Sequence, residues 1–179
     1  MVALVPAEAH GDERGAFLNF IEAQRAAIRR AALGLTEEQA ASRPSASTLS
    51  LSGLIKHVAE VELNWLRLAQ QVRNEKGRTQ ETWGDGFRLV EGETVPQTVE
   101  FWAGVAKETE EFVRSVPSLD DTFPLPPAPW FPKDGQVSIR WMLLHLVQEI
   151  GRHAGHADII RESLDGKDSF TLIAAEAGA

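Results

Sequence analysis

Four long segments of this chain place apolar residues three and four positions apart, and that period commits most of the sequence to helices. The first runs from about Arg14 to Leu33, with Phe17, Phe20, Ile21, Gln24, Ala27, Ile28 and Ala31 recurring on it. The second runs from about Ser50 to Val72, marked by Leu51, Leu54, Ile55, Val58, Val61, Trp65 and Leu68. The third starts at Thr94-Val95-Pro96-Gln97 and continues through Phe101, Val105, Thr109 and Phe112 to about Val116. That start fits a capping box, with proline tolerated in the first turn. The fourth runs from about Ser138 to Leu164, where Asp165-Gly166 stops it. Gly34 ends the first helix, and Thr36-Glu37-Glu38-Gln39 fits another capping box that opens a short helical turn. No strand pattern and no internal repeat is visible.

The connections are uneven. Ser42 to Ser50 and Asn74 to Gly92 read as loops. Pro117 to Val137 holds six prolines and cannot be helical throughout. Trp130 and Phe131 are expected to pin that loop to the core. The tail from Phe170 to Ala179 offers a Phe170-Leu172-Ile173 patch before a frayed Ala/Gly end. The expectation is an all-α four-helix bundle with long connecting loops, one domain over residues 1–179. Loops this long permit a topology other than simple up-down-up-down.

Composition narrows the function. There is no cysteine, so disulfides, Cys-ligated zinc and a protein thiol nucleophile are excluded. The net charge of -8 argues against a nucleic-acid partner, because phosphate binding needs clustered cations. Arg25, Arg29 and Arg30 sit at helical spacing among Ala and Ile and read as a solvated face. The start, Met1 to Pro6, is too short for a signal segment, and no apolar run approaches the ~18 residues that span a bilayer. The expected setting is the cytoplasm, with no membrane partner.

The fourth helix carries the chemistry. Met142, His145, Leu146, Glu149, His153, His156 and Ile160 are separated by threes and fours and share one face. Its apolar members turn that face inward, where ionisable groups are expensive unless paired or ligating a metal. His145 and His153 lie about 12 Å apart along the axis, too far to share one ion. The possible pairs are His145/Glu149, Glu149/His153 and His153/His156, each lacking a third ligand. His57, at the edge of the second helix's apolar face, can supply one. A buried polar network without metal satisfies the same spacing.

The stretches Leu54-Ile-Lys-His57-Val-Ala-Glu and Arg140-Trp-Met-Leu-Leu-His-Leu-Val-Gln-Glu149-Ile-Gly-Arg-His153-Ala-Gly-His-Ala-Asp-Ile-Ile-Arg-Glu resemble the DinB-like superfamily. They are most similar to the branch of the metal-binding domain of mycothiol-dependent maleylpyruvate isomerase. The resemblance implies a metal held by one residue of the second helix and two of the fourth. Carried over by position, these are His57, Glu149 and His153. His145 and His156 fall outside the ligand positions and become candidates for proton transfer. Arg152 flanks the motif as a surface or partner contact. The isomerase's separate C-terminal domain is missing here, which puts that particular reaction in doubt.

Two histidines and a carboxylate leave an open coordination position, as catalytic zinc sites do. Zinc is the leading metal, with nickel, manganese and iron also accepting such ligands. The resemblance further implies a low-molecular-weight thiol, mycothiol or bacillithiol, and a homodimer. The first functional expectation is therefore a metal-dependent thiol S-transferase or isomerase-like enzyme acting on a small electrophile. Trp83, Trp130 and Phe131 are candidates to wall the electrophile pocket, or simply to pin their loops. The alternatives are a stress-related metal-binding or interaction protein without turnover, and a metal-assisted hydrolase.

Overall fold

A computed structural model describes residue 5 and residues 11–177. The rest of the Met1–Pro6 start and the last two residues of the tail lie outside the described residues. The four expected helices are present: α1 (Glu13–Ala31), α3 (Leu51–Gln70), α4 (Val95–Ser115) and α5 (Ile139–Asp165). The expected short turn is α2 (Glu37–Ala41), opened by the full Thr36–Gln39 capping box. Thr94 caps α4 by accepting from the Gln97 N–H, but the reciprocal bond is missing. The neighbouring Val95 N–H donates instead to Glu37. Gly166 ends α5 at φ 76°, a left-handed conformation that glycine adopts without strain. The tail forms α6 (Ser169–Ala177), which buries Leu172 and Ile173 and leaves Phe170 exposed.

Residue pairs fix the helix directions. Glu13 meets Arg140 and Ala31 meets Arg161, so α1 and α5 run parallel. His57 meets Glu149 while Trp65 meets Trp141, so α3 runs antiparallel to α5. Lys56 meets Glu93 at the start of α4 and Arg67 meets Glu108 within it, so α4 runs alongside α3 in the same direction. The order is up-down-down-up, and the long 71–94 connection is the crossover that two parallel neighbours require. Trp102, Leu54, Ile55, Leu143 and Leu146 lie at the centre with almost no exposure. No helix among the described residues is long and apolar enough to cross a membrane.

Four expectations are corrected. The proline-rich connection contains two short strands, β1 (Thr122–Pro124) and β2 (Gln136–Ser138), paired antiparallel with Phe123 opposite Val137. Three residues are too few to show a two-residue period, so neither strand leaves a visible pattern. Arg25 is not on a solvated face. It is 3% exposed and grips the fully buried Glu62 through Nε at 3.0 Å and through Nη2. Glu62 also accepts from Trp102 Nε1 (2.9 Å) and Thr109 Oγ1 (2.7 Å), which satisfies the buried carboxylate. Phe20, placed on the apolar face by spacing, is 48% exposed instead. Finally, Phe131 reaches Trp65 edge-on at 6.3 Å, but Trp130 pins nothing to the core and is 73% exposed.

Candidate metal centre

The site forms where α5 crosses the first half of α3. Ser138 caps α5 by accepting from the Trp141 N–H, and the helix then runs unbroken past His156. Glu149 and His153 lie one turn apart on it, with His153 Nε2 3.2 Å from Glu149 Oε1. From α3, His57 Nε2 lies 3.4 Å from the same oxygen. Ligand atoms of these three residues all fall within 4.8 Å of one another, the one such group of three among the described residues. Around an ion with bonds of ~2.0–2.1 Å, tetrahedral ligand atoms stand ~3.3 Å apart. The two short separations fit that edge length, so the donor set and its spacing suit a divalent cation. The same distances also suit hydrogen bonds between carboxylate and imidazole.

Both rings hold Glu149 well below the usual carboxylate range, His153 more strongly than His57, against the opposing effect of burial. The charge sits at the rim, because Glu149 is half-buried while His153 is buried.

Each histidine is braced. His153 uses Nε2 toward the cluster, and its Nδ1 lies 3.3 Å from His156 Nδ1. The ring of Phe87 stacks on His57 with centroids 4.1 Å apart and planes 20° apart. Phe87 closes a 3₁₀ turn (Trp83–Phe87) that lies directly on α3. Its backbone passes so near Gly53 that a Cβ there would stand 2.8 Å from the Phe87 carbonyl carbon. Lys56, 3% exposed, ties down the following residues by donating to Arg88 O (3.1 Å) and Glu93 Oε2 (2.5 Å).

The structure thus brings together His57, Glu149 and His153 and sets His156 behind them. It leaves His145 apart. That ring stacks on Trp141 at 5.3 Å and 4° and tilts against Trp65 at 4.7 Å. Burial lowers its pKa, the Glu149 carboxylate acts the other way, and Arg152 adds to the lowering. Trp83 lines a cleft that His57 also lines, half out in solvent at 60% exposure. The sequence reading missed Gly53, Lys56, Phe87 and Trp141. A glycine and a lysine on the buried face of α3 were the available signals for the first two. Nothing in the spacing announces that a loop phenylalanine returns to a helix histidine.

Comparisons with known proteins agree with this architecture. A crystal structure of a conserved protein from Enterococcus faecalis superposes with a TM-score of 0.63 at 14% identity. The match covers 88% of this chain and 100% of that one, and it supports the fold alone. No curated protein matches the chain significantly. The model of the mycothiol-S-transferase family matches residues 16–166, a span that includes every residue of the centre. This chain therefore belongs to the mycothiol-S-transferase family, within the DinB-like proteins that its motifs resemble.

Proposed function

We propose that this protein is a metal-dependent S-transferase that joins a low-molecular-weight thiol, mycothiol or bacillithiol, to a small electrophile. The carrying observation is the convergence of His57, Glu149 and His153 to within 4.8 Å inside the stretch that matches the family. The residues that would hold the ion are these three, with zinc first among the candidates and nickel, manganese and iron behind it. When bound, a divalent cation favours thiolate over thiol near neutral pH. The chain has no cysteine, so the sulfur must arrive with the small molecule.

The protein's own groups have separate tasks in this reading. Glu149 carries the negative charge of the centre, and His156 orients His153 through the Nδ1 contact. Phe87 fixes the plane of His57. His145, neutral and one turn from Glu149, takes the thiol proton. The sulfur then attacks the electrophilic carbon, a C–S bond forms, and the leaving group departs with its electron pair. Trp65, Trp141 and Phe131 form an aromatic wall beside His145 that shields the electrophile from water. Trp130 extends that wall outward from Phe131 at 6.2 Å. The glutamate between the two histidines favours kinship with the isomerase-like branch. A cytoplasmic homodimer belongs to the same proposal.

The test is the alkylation of mycothiol by monochlorobimane with zinc-loaded protein. Acceleration over the uncatalysed rate is expected, with loss in Glu149→Ala and a lowered rate in His145→Phe. No acceleration with mycothiol, bacillithiol or glutathione rejects the reading.

A further inference from the structure

His57 also lines a cleft whose other walls include neither Glu149, His153 nor His145. It measures about 150 Å³ and opens between α3 and the 74–87 loop. A space of ~150 Å³ is enough for a benzene ring. Three charged side chains line it: Glu60, Lys76 and Arg78. Arg78 is committed to Glu60, with Nε on Oε2 at 2.9 Å and Nη2 on Oε1. Both carboxylate oxygens are thereby occupied. Lys76 has no carboxylate partner among the described residues, and its ammonium rests over the ring of Phe101, just outside the cleft's lining, at 4.1 Å. An exposed cation–π contact of that kind is weak enough to be exchanged for an anion.

The cleft therefore holds one cation more than anions, in a chain whose net charge is -8. Asn64 also lines it. Its Oδ1 accepts from Asn74 at 3.4 Å, which leaves its Nδ2 as a further donor. The free polar groups are thus donors with a single excess positive charge. Trp83 and Phe87 add aromatic surface to the same lining. Donor groups and aromatic surface lining one cleft select a flat apolar body carrying one carboxylate.

From this juxtaposition we infer that the cleft is a binding site for a small aromatic monocarboxylate. Its ring lies against Trp83 and its carboxylate is held by Lys76 and Asn64. The site does not depend on a bound metal.

Calorimetric titration of the full chain with benzoate and benzamide tests it, on zinc-loaded and metal-stripped samples of measured metal content. Benzoate is expected to bind both samples, at least tenfold more tightly than its neutral counterpart. Lys76→Met should weaken benzoate about tenfold and leave benzamide unchanged. Trp83→Ala should weaken both ligands. Equal binding of benzoate and benzamide, or an unaltered Lys76→Met variant, overturns the site. So does tighter binding of phenyl phosphate, which calls for more charge than the cleft offers. Benzoate bound only by the zinc-loaded sample places the anion on the metal and also overturns it. A chain that takes up no metal but still discriminates between the two ligands keeps this site and loses the transferase reading.

Discussion

Replacing a glycine inside a helix by alanine ordinarily stabilises a protein, by about 1 kcal/mol. At Gly53 the sign should reverse. A Cβ there would stand 2.8 Å from the carbonyl carbon of Phe87 and far inside contact with its oxygen. Carbon atoms pack at ~3.5–4.0 Å, so the 3₁₀ turn must retreat by roughly 1 Å. What retreats is backbone, and Lys56 of the same helix holds the next residue, so it cannot swing away as a side-chain tip would. Such overpacking costs about 1–3 kcal/mol. Set against the helix-propensity gain, the net is a loss of about 1 kcal/mol, or ~2–4 °C in Tm for a chain of this size. The same retreat lifts Phe87 off His57. Loss of a bracing contact of that kind typically weakens metal affinity about tenfold or more.

The assay is thermal unfolding followed by circular dichroism, with zinc affinity from competition against a chelator. Gly104→Ala and Gly155→Ala are the controls, because both lie in helices and nothing approaches their Cβ positions within 4 Å. Each control should gain up to ~1 kcal/mol and keep its zinc affinity. A Gly53→Ala variant that is stabilised like the controls, with unchanged affinity, refutes the claim that the turn is seated on α3.

Arg25→Met strands the buried Glu62 carboxylate and should cost about 3–5 kcal/mol in urea unfolding. Arg25→Met combined with Glu62→Met should recover part of that loss, and no recovery would contradict the charge argument. His156→Phe removes the Nδ1 partner of His153 and should raise the zinc Kd about tenfold without changing the helical spectrum. The depressed pKa of Glu149 gives a sign for the metal-free protein. Its charged form stabilises the fold above the ordinary carboxylate value and loses that effect as pH falls toward the folded value. Glu149→Gln should therefore be less stable than the parent at pH 7, and the gap should close on acidification.

Helical period made the bundle legible, because a stripe of apolar residues at threes and fours has one packing solution in water. The capping signals at Thr36 and Thr94 and the stop at Gly166 placed helix ends for the same local reason. What the period hides is the identity of a residue that keeps the spacing but breaks the chemistry. Leu18, Ile21, Arg25 and Ile28 are spaced as one buried row, and Arg25 reads as solvated only if its charge is weighed above its position. Its partner Glu62 lies on another helix, beyond the reach of any local pattern. At the centre, the turn-to-turn spacing of Glu149 and His153 was visible, as was His57 at the edge of its face. Spacing left three pairs open, and the three-dimensional crossing of α3 on α5 brings His57 to Glu149 and His153 alone. The brace from Phe87 depends on a loop whose path only tertiary contacts determine.

The most direct measurement is elemental analysis after equilibrium dialysis of the full chain against zinc, beside His57→Ala, Glu149→Ala and His153→Ala. The parent should hold about one ion per chain, and all three variants should lose it with the helical spectrum preserved. A parent that retains no metal, or variants that retain it undiminished, would contradict the proposed centre.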